Sequence, residues 1–120
     1  MKICWCTIHV NNLEKSKYFY QEVLGLSETR SFKPAPDMTI AFFSDQHGME
    51  IELIHTQNQT PISQGSRVSI GIVVDHFDEL LRKLEEQGYV IKRGPLTLGE
   101  DTHCFFIDDP NGVEIQVIKG

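Results

Sequence analysis

The sequence predicts an α+β fold made of two tandem βαβββ modules. Three observations carry that expectation. The chain repeats itself at an offset of 64 residues. Each half opens on a strand-like alternation, passes through a helical stripe and returns to strand-like runs. The last two strands of each half flank a turn rich in Asp, Asn and Gly.

The repeat is explicit in the late hairpins. FFSDQHGMEIELI (42–54) falls on FIDDPNGVEIQVI (106–118), and six of thirteen positions are identical. The same offset sets Ile8 on Ile72, Val10 on Val74 and Leu13 on Phe77, whereas Gly25 meets Gly88 after a one-residue gap. One copy is half a domain and can bury only one side of its sheet, so two copies are expected to share a structure. The boundaries follow: one domain over 1–120, with module 1 at 1–55, a polar connector at 56–66 and module 2 at 67–120.

The elements are read in chain order. Residues 2–10 alternate as a strand, with Cys4, Cys6, Ile8 and Val10 on one face and Trp5, Thr7 and His9 on the other. Asn11 or Asn12 offers an N-cap to a helix over 13–24, whose stripe is Leu13, Ser16, Phe19, Tyr20, Val23 and Leu24. Gly25 suits the left-handed residue that ends it. Residues 31–37 hold two prolines in three positions and read as a loop. Residues 38–44 and 49–55 read as a hairpin around Asp45-Gln-His-Gly48. In the second half, 68–74 is a strand and 76–87 a helix with Phe77, Leu80, Leu81 and Leu84 inward. Residues 89–91 read as a short strand, Gly94-Pro95 begins a loop, and 102–107 with 113–118 form the second hairpin.

Composition excludes several classes. Net charge is −6, which argues against sequence-independent nucleic-acid binding. No apolar run approaches the ~20 residues of a membrane span. No secretory h-region is read at the start. With three cysteines and no CxxC pair, the expectation is a reduced, cytoplasmic chain. Cys4 and Cys6 are expected as buried core thiols, with a metal thiolate pair as the competing reading.

The pleat selects the candidate site. Ile51 and Leu53 share one face of their strand, and Glu50 and Glu52 share the other, which must be the open one because burying an unpaired charge is costly. By the repeat, Glu114 and Gln116 take the matching face, Trp5 corresponds to Ser69, and Phe42 corresponds to Phe106. Cys104 and Phe106 alternate onto the same side. The loops 31–38, 55–66 and 93–101 are expected to shape the rim of a cleft. His47, His55, His76 and His103 are given surface roles, and the charged helix residues Glu14, Lys15, Lys17, Asp78, Glu79, Arg82 and Lys83 are read as solvated.

At these residues the chain resembles the vicinal oxygen chelate superfamily, the glyoxalase/bleomycin resistance/dioxygenase fold. The likeness rests on Leu13-Glu-Lys-Ser16 with Phe19-Tyr20 and Leu24-Gly25. It also rests on the Asp109-Pro-Asn-Gly112 turn that runs into Val113-Glu-Ile-Gln116. The resemblance implies an open, cupped mixed sheet with helices on its convex face, and a homodimer. It also implies that four symmetry-related strand positions hold a divalent metal in the metal-dependent members. Here those positions read Trp5, Glu52, Ser69 and Gln116, and only Glu52 is a strong ligand.

The resulting expectation is a metal-free protein that binds a small, planar or aromatic molecule, with no cofactor. Trp5, Thr7, His9, Phe42 and Glu52 from the first module and Ser69, Cys104, Phe106 and Gln116 from the second are the candidate ligand-binding residues. The alternative is a divalent-metal-dependent lyase, isomerase or dioxygenase with a shifted site, such as His9, Glu52 and Cys104, or with Glu52 and His9 as acid and base. A subunit with a vestigial cleft is the third reading. Expected partners are the small molecule and a second copy of the chain, without nucleic acid or membrane.

Overall fold

The protein is described from a computed structural model that covers residues 2–62 and 68–120. The chain divides into two compact units, Met1–Ile62 and Ser63–Gly120.

In the first unit, strand β1 (Trp5–His9) leads into helix α1 (Leu13–Tyr18), which continues as a π-helical turn over Phe19–Val23. Strands β2 (Ser27–Ala35), β3 (Met38–Ser44) and β4 (Glu50–Thr56) follow. The sheet order is β1-β4-β3-β2, parallel between β1 and β4 and antiparallel elsewhere. Asn12 starts the helix: its extended backbone frees its side-chain oxygen to accept from the Lys15 amide at 2.9 Å. The stripe read from sequence is inward, with Ser16, Phe19, Tyr20 and Leu24 buried. Beyond β4 the chain turns back onto the first strand. The Gln59 side chain donates to the Val10 carbonyl at 2.7 Å, and Asn11 exchanges two hydrogen bonds with the Ile62 backbone.

The second unit repeats the plan with β5 (Ser69–Val74), α2 (Phe77–Glu86), β6 (Arg93–Leu98), β7 (Thr102–Asp108) and β8 (Glu114–Lys119), in the order β5-β8-β7-β6. Its core holds Phe77, Leu80, Leu84, Phe105, Ile107, Ile115 and Val117. Two four-stranded mixed sheets, each with one helical segment, therefore realise the α+β reading.

Pairing registers carry the repeat residue by residue. Trp5 opposite Glu50 becomes Ser69 opposite Glu114, and Thr7 opposite Glu52 becomes Gly71 opposite Gln116. Phe42 opposite Glu52 becomes Phe106 opposite Gln116. The one-residue gap also has a physical origin. In the first unit the Leu24 amide bonds the Phe19 carbonyl at 3.0 Å, five residues back, so the π turn holds one residue more than an α-helix would. The second helix ends on an ordinary bond from Gln87 to Lys83, four residues back. The second unit regains the residue in β6, where the register shifts between Arg93 and Leu96. That bulge contains Gly94 at φ +93°, a conformation that side chains with a Cβ rarely adopt.

Three expectations fail here. Residues 31–37 are not a loop, because β2 runs to Ala35 and pairs with β3. β2 is an edge strand, where a proline is tolerated, and its register shifts between Phe32 and Ala35, around Pro34. Residues 89–91 are not a strand. Pairing starts from the Lys92 amide, bonded to the Phe106 carbonyl at 2.8 Å, and β6 runs through Gly94 and Pro95 on the other sheet's edge. Cys4 is exposed and Cys6 half-buried, because β1 lies on a sheet edge and Cys4 precedes it; Cys104 alone is a buried thiol. Of the expected connector, 63–67 lie outside the described residues. Among the described residues no helix is long and apolar enough to cross a membrane.

The bulge makes a testable demand. A Cβ at Gly94 would stand 3.0 Å from the Cys104 carbonyl oxygen and 3.2 Å from two further backbone atoms. Gly94→Ala is expected to destabilise the protein by about 1–3 kcal/mol. Gly71→Ala would meet only the Ile118 Cδ1 at 3.5 Å and is expected to be neutral or slightly stabilising. Urea unfolding of the two variants checks the contrast.

Candidate functional site

The helix side of each sheet is set by packing. In the second unit Phe77 of α2 lies against Phe105 of β7, with ring centroids 5.1 Å apart. Alternation along β7 then turns Cys104 and Phe106 to the far face. The matched registers put Phe42 on the corresponding face of the first unit, with Glu52 and Thr7 beside it.

On that face one rung crosses all four strands of the first sheet. Thr7 on β1 stands opposite Glu52 on β4, Glu52 opposite Phe42 on β3, and Phe42 opposite Arg30 on β2. The same rung in the second sheet reads Gly71, Gln116, Phe106 and Arg93.

The first rung is tightly connected. Glu52 is only 9% exposed, and the Thr7 hydroxyl donates to its Oε1 at 2.5 Å. A buried carboxylate without a donor would cost several kcal/mol, so this bond is a condition of burying Glu52 at all. Phe42, 3% exposed, stands beside it. The Arg30 guanidinium carbon lies 3.8 Å from the centre of the Phe42 ring. Trp5 meets that ring edge-on at 5.5 Å and 82°, and Phe32 stacks on it at 6.4 Å and 17°. Trp5 is 48% exposed and Phe32 47%, so flat apolar surface remains open around a buried ring.

The acidic residues of this face are already answered. Glu50 accepts from the Thr29 hydroxyl at 2.8 Å through one oxygen and pairs with Arg30 at 3.3 Å through the other. In the second unit Lys92 lies between Asp108 at 3.1 Å and Glu114 at 3.3 Å. Gln116 donates to the Cys104 sulfur at 3.5 Å, and Arg93 stands 5.4 Å over Phe106.

The structure thus brings Trp5, Thr7, Phe42 and Glu52 together in one unit, and Cys104, Phe106 and Gln116 in the other. His9 lies one rung past Thr7, opposite Ile54. Ser69 lies one rung before Gly71, opposite Glu114. The open carboxylate face expected from the pleat is only partly open: Glu50 and Glu114 are half-buried, and Glu52 is buried with Thr7 as its donor. His9 and Glu52 belong to the first unit and Cys104 to the second. Among the described residues, neither unit gathers three His, Cys, Asp or Glu side chains into a group that could hold a metal ion.

Sequence reasoning missed Arg30 and Arg93. Both fall on edge strands that contain prolines; Arg93 lies inside the expected loop 93–101, and Arg30 directly precedes the expected loop 31–37. The usable signal was their 63-residue spacing, the same as that between Gly25 and Gly88.

Comparison with known proteins agrees with this architecture. The sequence model of the Glyoxalase/Bleomycin resistance protein/Dioxygenase superfamily matches residues 2–117. The chain is 32% identical to a lactoylglutathione lyase of Neisseria meningitidis, over 99% of this chain and 91% of that protein. It is 31% identical to a lactoylglutathione lyase of Haemophilus influenzae, over 99% and 93%. Among solved structures it is similar to the trypanothione-dependent glyoxalase I of Leishmania major, with a TM-score of 0.81 and 22% identity over 99% of this chain and 86% of that one. It is also similar to TnmS3, an antibiotic-binding protein from Streptomyces sp. CB03234, with a TM-score of 0.75 and 18% identity over 99% and 95%.

The Lys92 arrangement yields a pH prediction. Hydrogen bonds to Asp108 and then Glu114 hold the ammonium above the usual lysine range. A raised folded value means stabilisation that is complete below the unfolded pKa of about 10.4 and is lost as pH rises through the folded one. Lys92→Met should therefore fall less steeply in stability above that pH than the parent protein. Parallel alkaline limbs in urea midpoints would show that the pair does not couple to folding.

Proposed function

Since the chain belongs to the Glyoxalase/Bleomycin resistance protein/Dioxygenase superfamily, we propose that it binds a small planar molecule on the far face of its sheets without using a metal. One observation carries this reading: the Thr7–Glu52 bond lies in the same rung as a buried ring that supports a half-exposed tryptophan.

The metal-ligand positions named by the resemblance carry weak donors at three of four places. The Trp5 indole nitrogen is a donor only and has no lone pair for a metal. Ser69 and Gln116 offer neutral oxygens, which suit a transition metal poorly. Glu52 is the one strong ligand, and Thr7 already engages one of its oxygens. A catalytic site typically needs three protein ligands. The set does not fit a divalent transition metal.

The chain's own residues have definite roles in this reading. Trp5 stacks on the ligand, Phe42 fixes the Trp5 ring, and Thr7 with Glu52 holds the floor of the rung. His9 borders this set, and Ser69, Cys104, Phe106 and Gln116 form the corresponding set on the second unit. The reading takes the chain as a cytoplasmic homodimer; its net charge of −6 leaves no support for nucleic-acid binding.

A second reading has its own support. Lactoylglutathione lyases are 31–32% identical over nearly the whole chain, which favours a lyase with a shifted metal site that includes Glu52.

Protein purified without chelator separates the two. The binding reading expects no stoichiometric Ni, Zn, Fe or Mn and no lactoylglutathione lyase activity after metal addition. It also expects saturable quenching of the single tryptophan by planar aromatic compounds. In calorimetry, Trp5→Ala should weaken such binding about two- to tenfold, the worth of one aromatic contact. Stoichiometric metal that disappears in Glu52→Gln, together with lyase activity, would establish the second reading instead.

A further inference from the structure

The ligand face carries a surplus of hydrogen-bond donors at one point, Arg30. Glu50 is fully engaged, with Thr29 on one oxygen and Arg30 on the other. Arg30 is not. Its guanidinium has five N–H donors, and its ion pair with Glu50 joins one terminal nitrogen to Oε1 at 3.3 Å. Its side chain is 49% exposed. It is also held in place, with its guanidinium carbon 3.8 Å from the centre of the Phe42 ring and an ion pair to Glu50. A half-exposed guanidinium held this way keeps donors for a ligand, and little rotamer freedom remains to be lost on binding.

The repeat places a second arginine at the equivalent rung position. Arg93 pairs with Phe106 in register as Arg30 pairs with Phe42. Arg93 stands farther from its ring, at 5.4 Å against 3.8 Å, and the neighbouring carboxylate Glu114 is taken by Lys92 instead. The tethered fork is therefore a property of the first unit.

We propose that Arg30 is a specificity-determining residue and that the ligand class is a flat aromatic carboxylate. The ring lies against Trp5, and the carboxylate accepts from the free edge of the Arg30 guanidinium. This rests on the binding reading above and adds the sign of the ligand's charge. The face is prepared for an anion although the chain as a whole is acidic, because Glu50 is neutralised locally and Glu52 is held back beneath the surface by Thr7. Planar oxyanions match the fork through two parallel hydrogen bonds, and a lysine cannot reproduce that geometry.

The test compares naphthoate with its neutral isostere naphthamide by titration calorimetry on the whole chain. The parent protein is expected to bind naphthoate about tenfold or more tighter, the worth of a hydrogen bond to a charged group. In Arg30→Gln the preference should fall to about one, with naphthoate affinity losing more than naphthamide affinity, and Arg30→Lys should recover only part of it. Equal affinities in the parent, or a preference that survives Arg30→Gln but disappears in Arg93→Gln, would overturn the proposal. Unfolding midpoints of each variant confirm that the comparison is made on folded protein. If naphthamide binds and the preference is absent, the role of Arg30 alone falls. If neither compound binds, the ligand-face reading falls and takes this proposal with it.

Discussion

A carboxylate taken out of water requires a donor, and on the first sheet that donor is Thr7. Thr7 reaches Glu52 only because β1 and β4 run parallel in a register that sets the two opposite each other. The same register brings Trp5 to Phe42, and the next pairing brings Phe42 to Arg30. A slip of β1 by one residue would turn Trp5 and Thr7 to the helix face and leave Glu52 without its donor. One buried acid therefore constrains the order of the whole rung and the surface that it leaves open.

Duplication explains why the second sheet has the same frame and a different chemistry. Gly71 stands where Thr7 does, and Gln116 where Glu52 does, so the acid and its hydroxyl donor are absent together. A neutral amide bonded to the Cys104 sulfur replaces them. The lengths of the halves are reconciled by two local irregularities of opposite effect. The π turn after Tyr18 lengthens the first helix, and the bulge at Gly94 lengthens β6. Both lie outside the β1–β4 and β5–β8 pairings, whose registers match at a constant offset.

Much of this was legible in the sequence, and the exceptions have physical reasons. The repeat, the Asn12 cap, the helix stripes and the late hairpins all follow from short-range patterns that the fold keeps. The face shared by Thr7 and Glu52 followed from the pleat. The edge strands did not, because Pro34 and Pro95 break strand patterns everywhere except on an edge, and edge position is a tertiary fact. Arg30 and Arg93 were lost with those strands. The burial of Glu52 was also missed: a carboxylate was assigned to water because its hydroxyl donor lies 45 residues away and only the pairing register brings the two together.

The central claim is that Glu52 is committed to Thr7 and that this bond holds the ligand face in place. A double-mutant cycle with Thr7→Val and Glu52→Gln, read by urea unfolding, measures it most directly. A favourable coupling of about 1.5–3 kcal/mol is expected, the range for a hydrogen bond to a charged group. Additive effects, with no coupling between the two positions, would contradict it.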